Sequence, residues 1–315
     1  SVIKPDGKDG LASCFPYTRN VEGIQKFLKE MRKEVFEPCG CITVSEAVDV
    51  PYSELGNYIG DQGCFSMMFD FHYTNFDLEG NDEKWHKRKD WTMEEFRELL
   101  FESQEEIQKT GWQGLFIENH DQPRAVNKFF PFKEDQTYEA STVLAGMYFF
   151  LRGTPFIYQG QELGVKNVWR DSIESFDDIE SRGQYETALS DGCTKEEALY
   201  YINLRSRDNA RQMIDWEEAG RQENDKKSVL SFYKEMTALR KRESCLVQGS
   251  FKPHREYGKD VVAYERNDGF TRILVLCNFS KIRQEIKNVD GKILLSNQPV
   301  IQGFLEPFQV IVIKK

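Results

Sequence analysis

Two acidic side chains in this chain each close a short apolar run. In Leu115-Phe-Ile-Glu-Asn-His-Asp121 the apolar residues lead into Asn119, His120 and Asp121, and in Cys41-Ile-Thr-Val-Ser-Glu46 a similar run delivers one carboxylate. A buried parallel strand that ends in polar residues presents them at the mouth of an α/β sheet or barrel. Two carboxyl groups so placed suit glycosidic bond cleavage. One protonates the leaving oxygen, and the other attacks the sugar carbon or activates water. Glu46 lies between apolar neighbours, Val44 on one side and Ala47-Val48 on the other, which predicts the partial desolvation a general acid requires. Each residue also has a structural alternative: a helix-cap contact for Glu46, and a helix N-cap ahead of Gln122-Pro123 for Asp121. Capping accounts for Asp121 but leaves Asn119 and His120 without a role.

Other polar residues give weaker signals. Asp70 ends the apolar run Met67-Met-Phe69 and reads as a residue that fixes the next loop. His72 and His86 have no companions at metal-ligand spacing and read as loop packing. Arg205-Ser-Arg-Asp-Asn-Ala-Arg211 sets three guanidinium groups in seven residues, either as a solvated charge run or as a clamp for sugar hydroxyls or a carboxylate. Cys39 and Cys41 form a C-x-C pair without a second pair at zinc spacing. No metal or cofactor is therefore expected, and Cys41 reads as a buried structural thiol.

The elements that must position these groups alternate between strand and helix. Val21, Ile24, Phe27, Leu28, Met31 and Val35 fall at helical spacing and form one apolar stripe. Strands are predicted at 41–44, 64–71, 115–117 and 154–159. Thr92-Met-Glu-Glu95 and Thr194-Lys-Glu-Glu197 are capping boxes that open helices to about Lys109 and Arg205. Further helices are predicted over 138–151 and 227–242. Lys84-Trp-His-Lys-Arg-Lys89 reads as a solvated loop. After Val247 the pattern becomes β, with Asn267-Asp-Gly269 as a hairpin turn and strands near 293–295 and 308–313. The division expected is an α/β domain over 1–246 and a small antiparallel β-sandwich over 247–315. Four parallel strands do not close an eight-stranded barrel, so the α/β part is either an open sheet or half a barrel.

Composition narrows the function classes. The chain has 315 residues, a net charge of −10, and 30% charged residues. That acidity argues against a nucleic-acid partner, which needs clustered positive charge. No apolar run reaches the roughly 20 residues that span a bilayer, so no membrane partner is expected. Seven cysteines, an odd number with no signal-peptide core in sight, predict free thiols and a cytoplasmic location. The start at Ser1, without Met, reads as processed or truncated.

The motifs together resemble the α-amylase superfamily, glycoside hydrolase family 13. Residues 115–124 resemble its seventh-strand region, 42–47 its fifth and 154–164 its eighth. Asp178-Ile-Glu180 and Ser206-Arg-Asp-Asn-Ala-Arg211 resemble the oligo-1,6-glucosidase group, and Leu305-Glu-Pro-Phe308 resembles the close of its terminal β-domain. The resemblance implies the C-terminal half of a (β/α)8 TIM barrel followed by that β-domain. It implies a retaining mechanism on short oligosaccharides, with terminal α-1,6 glucosidic bonds as substrate. Glu46 matches the general acid/base and Asp121 the carboxylate that stabilises the oxocarbenium-like transition state. His120 and Arg207 match residues that hold the glucose, and Glu180 one on the leaving-group side.

The nucleophile of that family is an Asp at the end of the fourth strand. Asp6 and Asp9 match no nucleophile motif, so it is expected ahead of Ser1 and the chain alone is expected to be inactive. Departures at Ser45, Asp49 and Arg211-Gln-Met-Ile-Asp-Trp216 bear on leaving-group specificity. Trehalose-6-phosphate hydrolysis and sucrose isomerisation remain alternatives within the group. A non-catalytic relative acting as a partner subunit is the alternative from another class. Exposed half-barrel surfaces predict association of the isolated chain.

Overall fold

The computed structural model describes residues 12, 14–80, 84–286 and 290–315. Ser1–Asp9, with Asp6 and Asp9, lies outside the described residues. Four short strands, β1 (Val44–Ser45), β2 (Met67–Phe69), β3 (Gln113–Leu115) and β4 (Thr154–Pro155), form one parallel sheet in the order β1-β2-β3-β4. β1, β2 and β4 are shorter than predicted because the chain turns toward the cleft soon after its apolar residues. The third strand runs over 113–115 rather than 115–117, so Phe116 to Glu118 already belong to the polar loop.

Among the described residues β1 is an edge of this sheet. That position explains two departures from expectation. Cys41 is exposed rather than buried, and helix α1 (Ile24–Met31) buries no residue. Val21, Ile24, Phe27, Met31 and Val35 are all exposed, although their spacing forms the stripe expected of a core-facing helix.

The four other predicted helices are present, and one over 179–190 was not foreseen. Thr92 and Glu95 cap α2 (Met93–Thr110) reciprocally, and Phe96, Leu100 and Ile107 are buried on its inner face. Thr194 and Glu197 do the same for α5 (Lys195–Arg205). Helix α3 (Tyr138–Phe149) buries nine of its twelve residues, because it lies between the parallel sheet and the C-terminal β-layer. Helix α4 (Ile179–Ser190) begins with Asp178 as its cap. Helix α6 (Val229–Arg242) turns Phe232, Tyr233, Met236 and Leu239 inward.

The C-terminal layer holds β5 (Ser250–Pro253), β6 (Val261–Asn267), β7 (Arg272–Asn278), β9 (Lys292–Ser296) and β11 (Val310–Lys314) in the antiparallel order β5-β6-β7-β11-β9. A ribbon of β8 (Gln284–Glu285) and β10 (Phe304–Leu305) joins them. The Asn-Asp-Gly turn is present, with Gly269 at φ 90° and its N–H donating to Asn267 Oδ1. Phe308 is not in the last strand as predicted; its φ of 55° puts it in the turn before it.

Alternation along the strands separates two cores. Val262, Tyr264, Val275, Cys277, Val310 and Val312 join the helices, while Val261, Ala263, Leu274, Leu276, Ile311 and Ile313 pack with Leu305 of the ribbon. Gly146 permits the close approach of α3, since a Cβ there would lie 2.6 Å from Val310 Cγ2.

Arg266 fastens this layer to the rest. Its fully buried guanidinium donates to the carbonyls of Phe150 (2.7 Å), Leu151 (2.8 Å), Leu246 (2.9 Å) and Gly249 (2.6 Å). These include carbonyls just past the end of α3, which the helix itself cannot satisfy. Replacing Arg266 by Met strands them, and should lower stability by about 3 kcal/mol. Urea unfolding measures this, and a loss below about 1 kcal/mol would mean the carbonyls find other donors.

Candidate active site

A cleft of about 420 Å³ opens where the loops after β1, β2 and β3 converge with the segments that bear Glu180 and Arg207. Glu46, Asp121, Glu180 and Arg207 all line it. His120 stands beside them with a largely exposed ring, its Nε2 3.3 Å from Asp121 Oδ2. Four of the five residues singled out from sequence thus share one cavity wall, and the fifth touches one of the four.

Asp121 does not cap a helix; the next one begins at Ala125. Instead its N–H is fixed by Asn119 Oδ1 at 2.8 Å, which gives Asn119 its role. Its carboxylate receives Arg207 Nη1 at 3.1 Å and Arg211 Nη2 at 2.8 Å on the same oxygen. Arg207 also pairs with Glu180 and lies 3.4 Å from Asp178 Oδ1 through Nε. Two guanidinium groups are thereby shared among three carboxylates, so the Arg-rich stretch is a clamp and not a solvated run.

Glu46 contrasts with this. Of the four carboxylates lining the cleft, Asp49 pairs with Arg19 at 2.8 Å, Asp121 and Glu180 pair with Arg207, and Glu46 has no partner among the described residues. It is solvent-exposed, as are Ile42 and Val44, so the expected apolar surroundings are not supplied by its own strand. An edge strand leaves that side of Glu46 open. Asp49 adopts φ 60°, a conformation rare for a residue with a side chain, and this turns the chain sharply just beyond Glu46.

Several supporting residues were missed by sequence reasoning. Asp70 fixes a loop as expected, but the residue it fixes is His72, which lines the cleft. Asp70 is 1% exposed and its Oδ1 meets the His72 N–H at 3.0 Å and Nδ1 at 2.5 Å. Burial disfavours its charge, but the His72 contacts outweigh burial and hold its pKa below the ordinary value. The same hydrogen bond raises His72 against the opposing effect of burial.

The Lys84–Lys89 loop is not solvated as predicted. Trp85 packs with Phe176 and Tyr185, and Asp191 holds Lys84 at 2.8 Å and His86 Nε2 at 3.0 Å. Burial lowers His86, with Asp191 acting against it. Under the loops Glu118 and Arg124 form a buried pair at 2.8 Å, and burial raises the Glu118 carboxyl despite Arg124. No local spacing announces the contacts of the Lys84–Lys89 loop, because each joins segments far apart in sequence.

Among the described residues no group of three or more His, Cys, Asp or Glu could hold a metal ion. No helix among them is long and apolar enough to cross a membrane.

The sequence pattern described as "Alpha amylase, catalytic domain" matches residues 6–249. The chain belongs to the α-amylase family. Within that family it is 32% identical over 303 residues to a probable oligo-1,6-glucosidase 3 of Bacillus subtilis, covering 88% of this chain and 53% of the relative. It is 31% identical over 302 residues to trehalose-6-phosphate hydrolase of Escherichia coli, with 88% and 54% covered. The crystal structure of Bacillus licheniformis trehalose-6-phosphate hydrolase matches with a TM-score of 0.84 at 28% identity, over 98% of this chain and 61% of that one. Isomaltulose synthase SmuA of Protaminobacter rubrum matches with a TM-score of 0.85 at 26% identity, over 94% and 59%. The chain therefore spans little more than half the length of these family members.

Asp77 secures the cleft wall from beneath. Nearly fully buried, it contacts Arg205 at 3.1 Å, Arg88 at 2.7 Å and Lys128 at 3.7 Å. Burial opposes its charge, but Lys128, Arg205 and Arg88 overcome it and hold Asp77 down to about 2. A depressed carboxylate stabilises the fold fully above its unfolded pKa, and that stability fades as pH falls through the folded one. Asp77→Asn should cost about 3 kcal/mol at neutral pH, since three cations lose their counterion. The gap to wild type should narrow between about pH 4 and pH 2. Denaturant titrations across that range test this, and a gap independent of pH would refute it.

Proposed function

We propose that this chain carries the acid/base side of a retaining α-glucosidase that cleaves terminal α-1,6 bonds in short oligosaccharides. The observation that supports it is the unequal treatment of two carboxyl groups in one cleft. Asp121 is held by two guanidinium groups, which fix its carboxylate in place beside a cationic sugar. Glu46 is left unpaired, so its carboxyl group is free to turn toward the leaving oxygen. His120 and Arg207 would then hold the glucose, and Glu180 would act through Arg207 on the leaving-group side. Similarity to oligo-1,6-glucosidases at 29–32% identity supports this substrate, with trehalose 6-phosphate, whose hydrolase matches at 31%, as the alternative. The parallel sheet is read here as part of a (β/α)8 barrel, with the β-layer from about 247 as a separate domain. Seven free thiols suit a cytoplasmic setting.

In the intact enzyme, Glu46→Gln should slow hydrolysis of isomaltose by orders of magnitude, with partial recovery on p-nitrophenyl α-glucoside, whose leaving group needs little protonation. Near-normal rates on isomaltose would remove Glu46 from the acid role. The other lining carboxylates are committed to arginines. The 315-residue chain alone should therefore release no p-nitrophenol.

The exposed apolar stripe on α1 and the open β1 edge also favour self-association of this chain. Light scattering should show dimers or larger species at micromolar concentration; a lasting monomer would count against it.

A further inference from the structure

The sheet order places the end of β2 between the end of β1, which carries Glu46, and the end of β3, which leads to Asp121. All three loops line one cleft. A glucosyl unit that faces both Glu46 and Asp121 must therefore lie over the end of β2. Phe71 and His72 are the first side chains past β2 to line the cleft, and His72 is the polar one of the two.

His72 is held in a defined pose. Nδ1 is engaged by the buried Asp70 at 2.5 Å, and Asp70 is itself fixed by the Tyr52 hydroxyl at 3.1 Å. The Tyr52 ring lies against the imidazole, with centroids 4.6 Å apart. This occupies one nitrogen and one face of the ring. Nε2 has no protein partner among the described residues, although the ring is about two-thirds buried.

A buried carboxylate that accepts from Nδ1–H sets the tautomer and strengthens Nε2 of the neutral ring as an acceptor. For loop packing alone, such an arrangement would be wasteful. Burying Asp70 costs desolvation that an apolar residue would avoid.

We propose that His72, oriented by Asp70, is a sugar-binding residue whose Nε2 accepts a hydrogen bond from a hydroxyl of the glucosyl unit between Glu46 and Asp121. The proposal rests on the reading of the cleft as a glucosyl site. It adds a contact from β2 to those that β1, β3 and the arginine segment supply.

The test is isomaltose binding to the 315-residue chain, by calorimetry and by nitrogen-15 NMR of the histidine rings. Saturating isomaltose should move the His72 ring signals and leave those of His254, remote on the β-layer, unchanged. His72→Ala should weaken binding about tenfold, as expected for loss of one hydrogen bond. His72→Gln, whose amide oxygen can accept, should recover part of that. Asp70→Asn should weaken binding as well and shift the His72 signals before any sugar is added. Saturable binding by wild type with unmoved His72 signals and an unchanged His72→Ala affinity would overturn this proposal alone. No saturable binding by wild type would overturn the glucosyl reading of the cleft, and this proposal with it.

Discussion

The cleft depends on one buried guanidinium. Arg124 is fully buried, pairs with Glu118 at 2.8 Å, and donates to the carbonyls of Gln159 at 2.8 Å, Asn209 at 3.3 Å and Ala210 at 3.2 Å. Glu118 spends its other oxygen on the Ala125 N–H at 2.6 Å. Removing two charges from water costs several kcal/mol per ion, and only near-complete hydrogen bonding offsets it. Here that condition ties the loop after β3 to the loop after β4 and to the segment between α5 and α6. Asp121 lies three residues from Arg124, while Arg207 and Arg211 flank the two carbonyls that Arg124 grips. The buried pair thus sets the distance between the carboxylate of the cleft and the cations that hold it.

With that spacing fixed, the two acidic groups of the cleft come to differ without either being deeply buried. Unlike surroundings are how a site gives two carboxyl groups different roles. In this chain the difference comes from pairing: Asp121 faces two arginines, and Glu46 faces none among the described residues. The ring of Arg207, Asp121, Arg211 and Asp178 also makes Asp121 hard to move, since shifting it disturbs the cap of α4. Rigidity on one side of the cleft and freedom at Glu46 on the other arise from the same arrangement.

Sequence reasoning succeeded where the signal is local. Both capping boxes, the Asn-Asp-Gly turn and the apolar strand cores depend on residues within a few positions of each other, and the structure contains them all. Glu46 and Asp121 were legible as strand-end carboxylates and Glu180 and Arg207 through motif resemblance, and all four line one cleft. What could not be read was anything decided by distant partners. His72 gives no metal-ligand spacing, and its role emerges only when Asp70 and Tyr52 close around it. Trp85 sits in a basic run that looks solvated until Asp191, more than a hundred residues later, draws the loop down. The stripe on α1 was correctly periodic, yet periodicity states which face is apolar and not whether a neighbour covers it.

The β-layer has a part in the site as well, though it contributes no residue to the cleft. Helix α3 leads into Gly153 and β4, and β4 leads to Gln159, whose carbonyl meets Arg124. The far end of α3 is held by two arginines from later segments. Arg266 of β6 takes the carbonyls of Phe150 and Leu151, and Arg240 of α6 takes those of Phe149 at 2.7 Å and Gly153 at 2.5 Å. Cations at a helix C-terminus also meet the negative end of its dipole, which strengthens both contacts. Because Gly146 brings α3 within contact distance of β11, the helix has little room to shift along the sheet. Position is thereby passed from β6 and β11 through α3 to β4, and from β4 through Gln159 and Arg124 to the loop that carries Asp121.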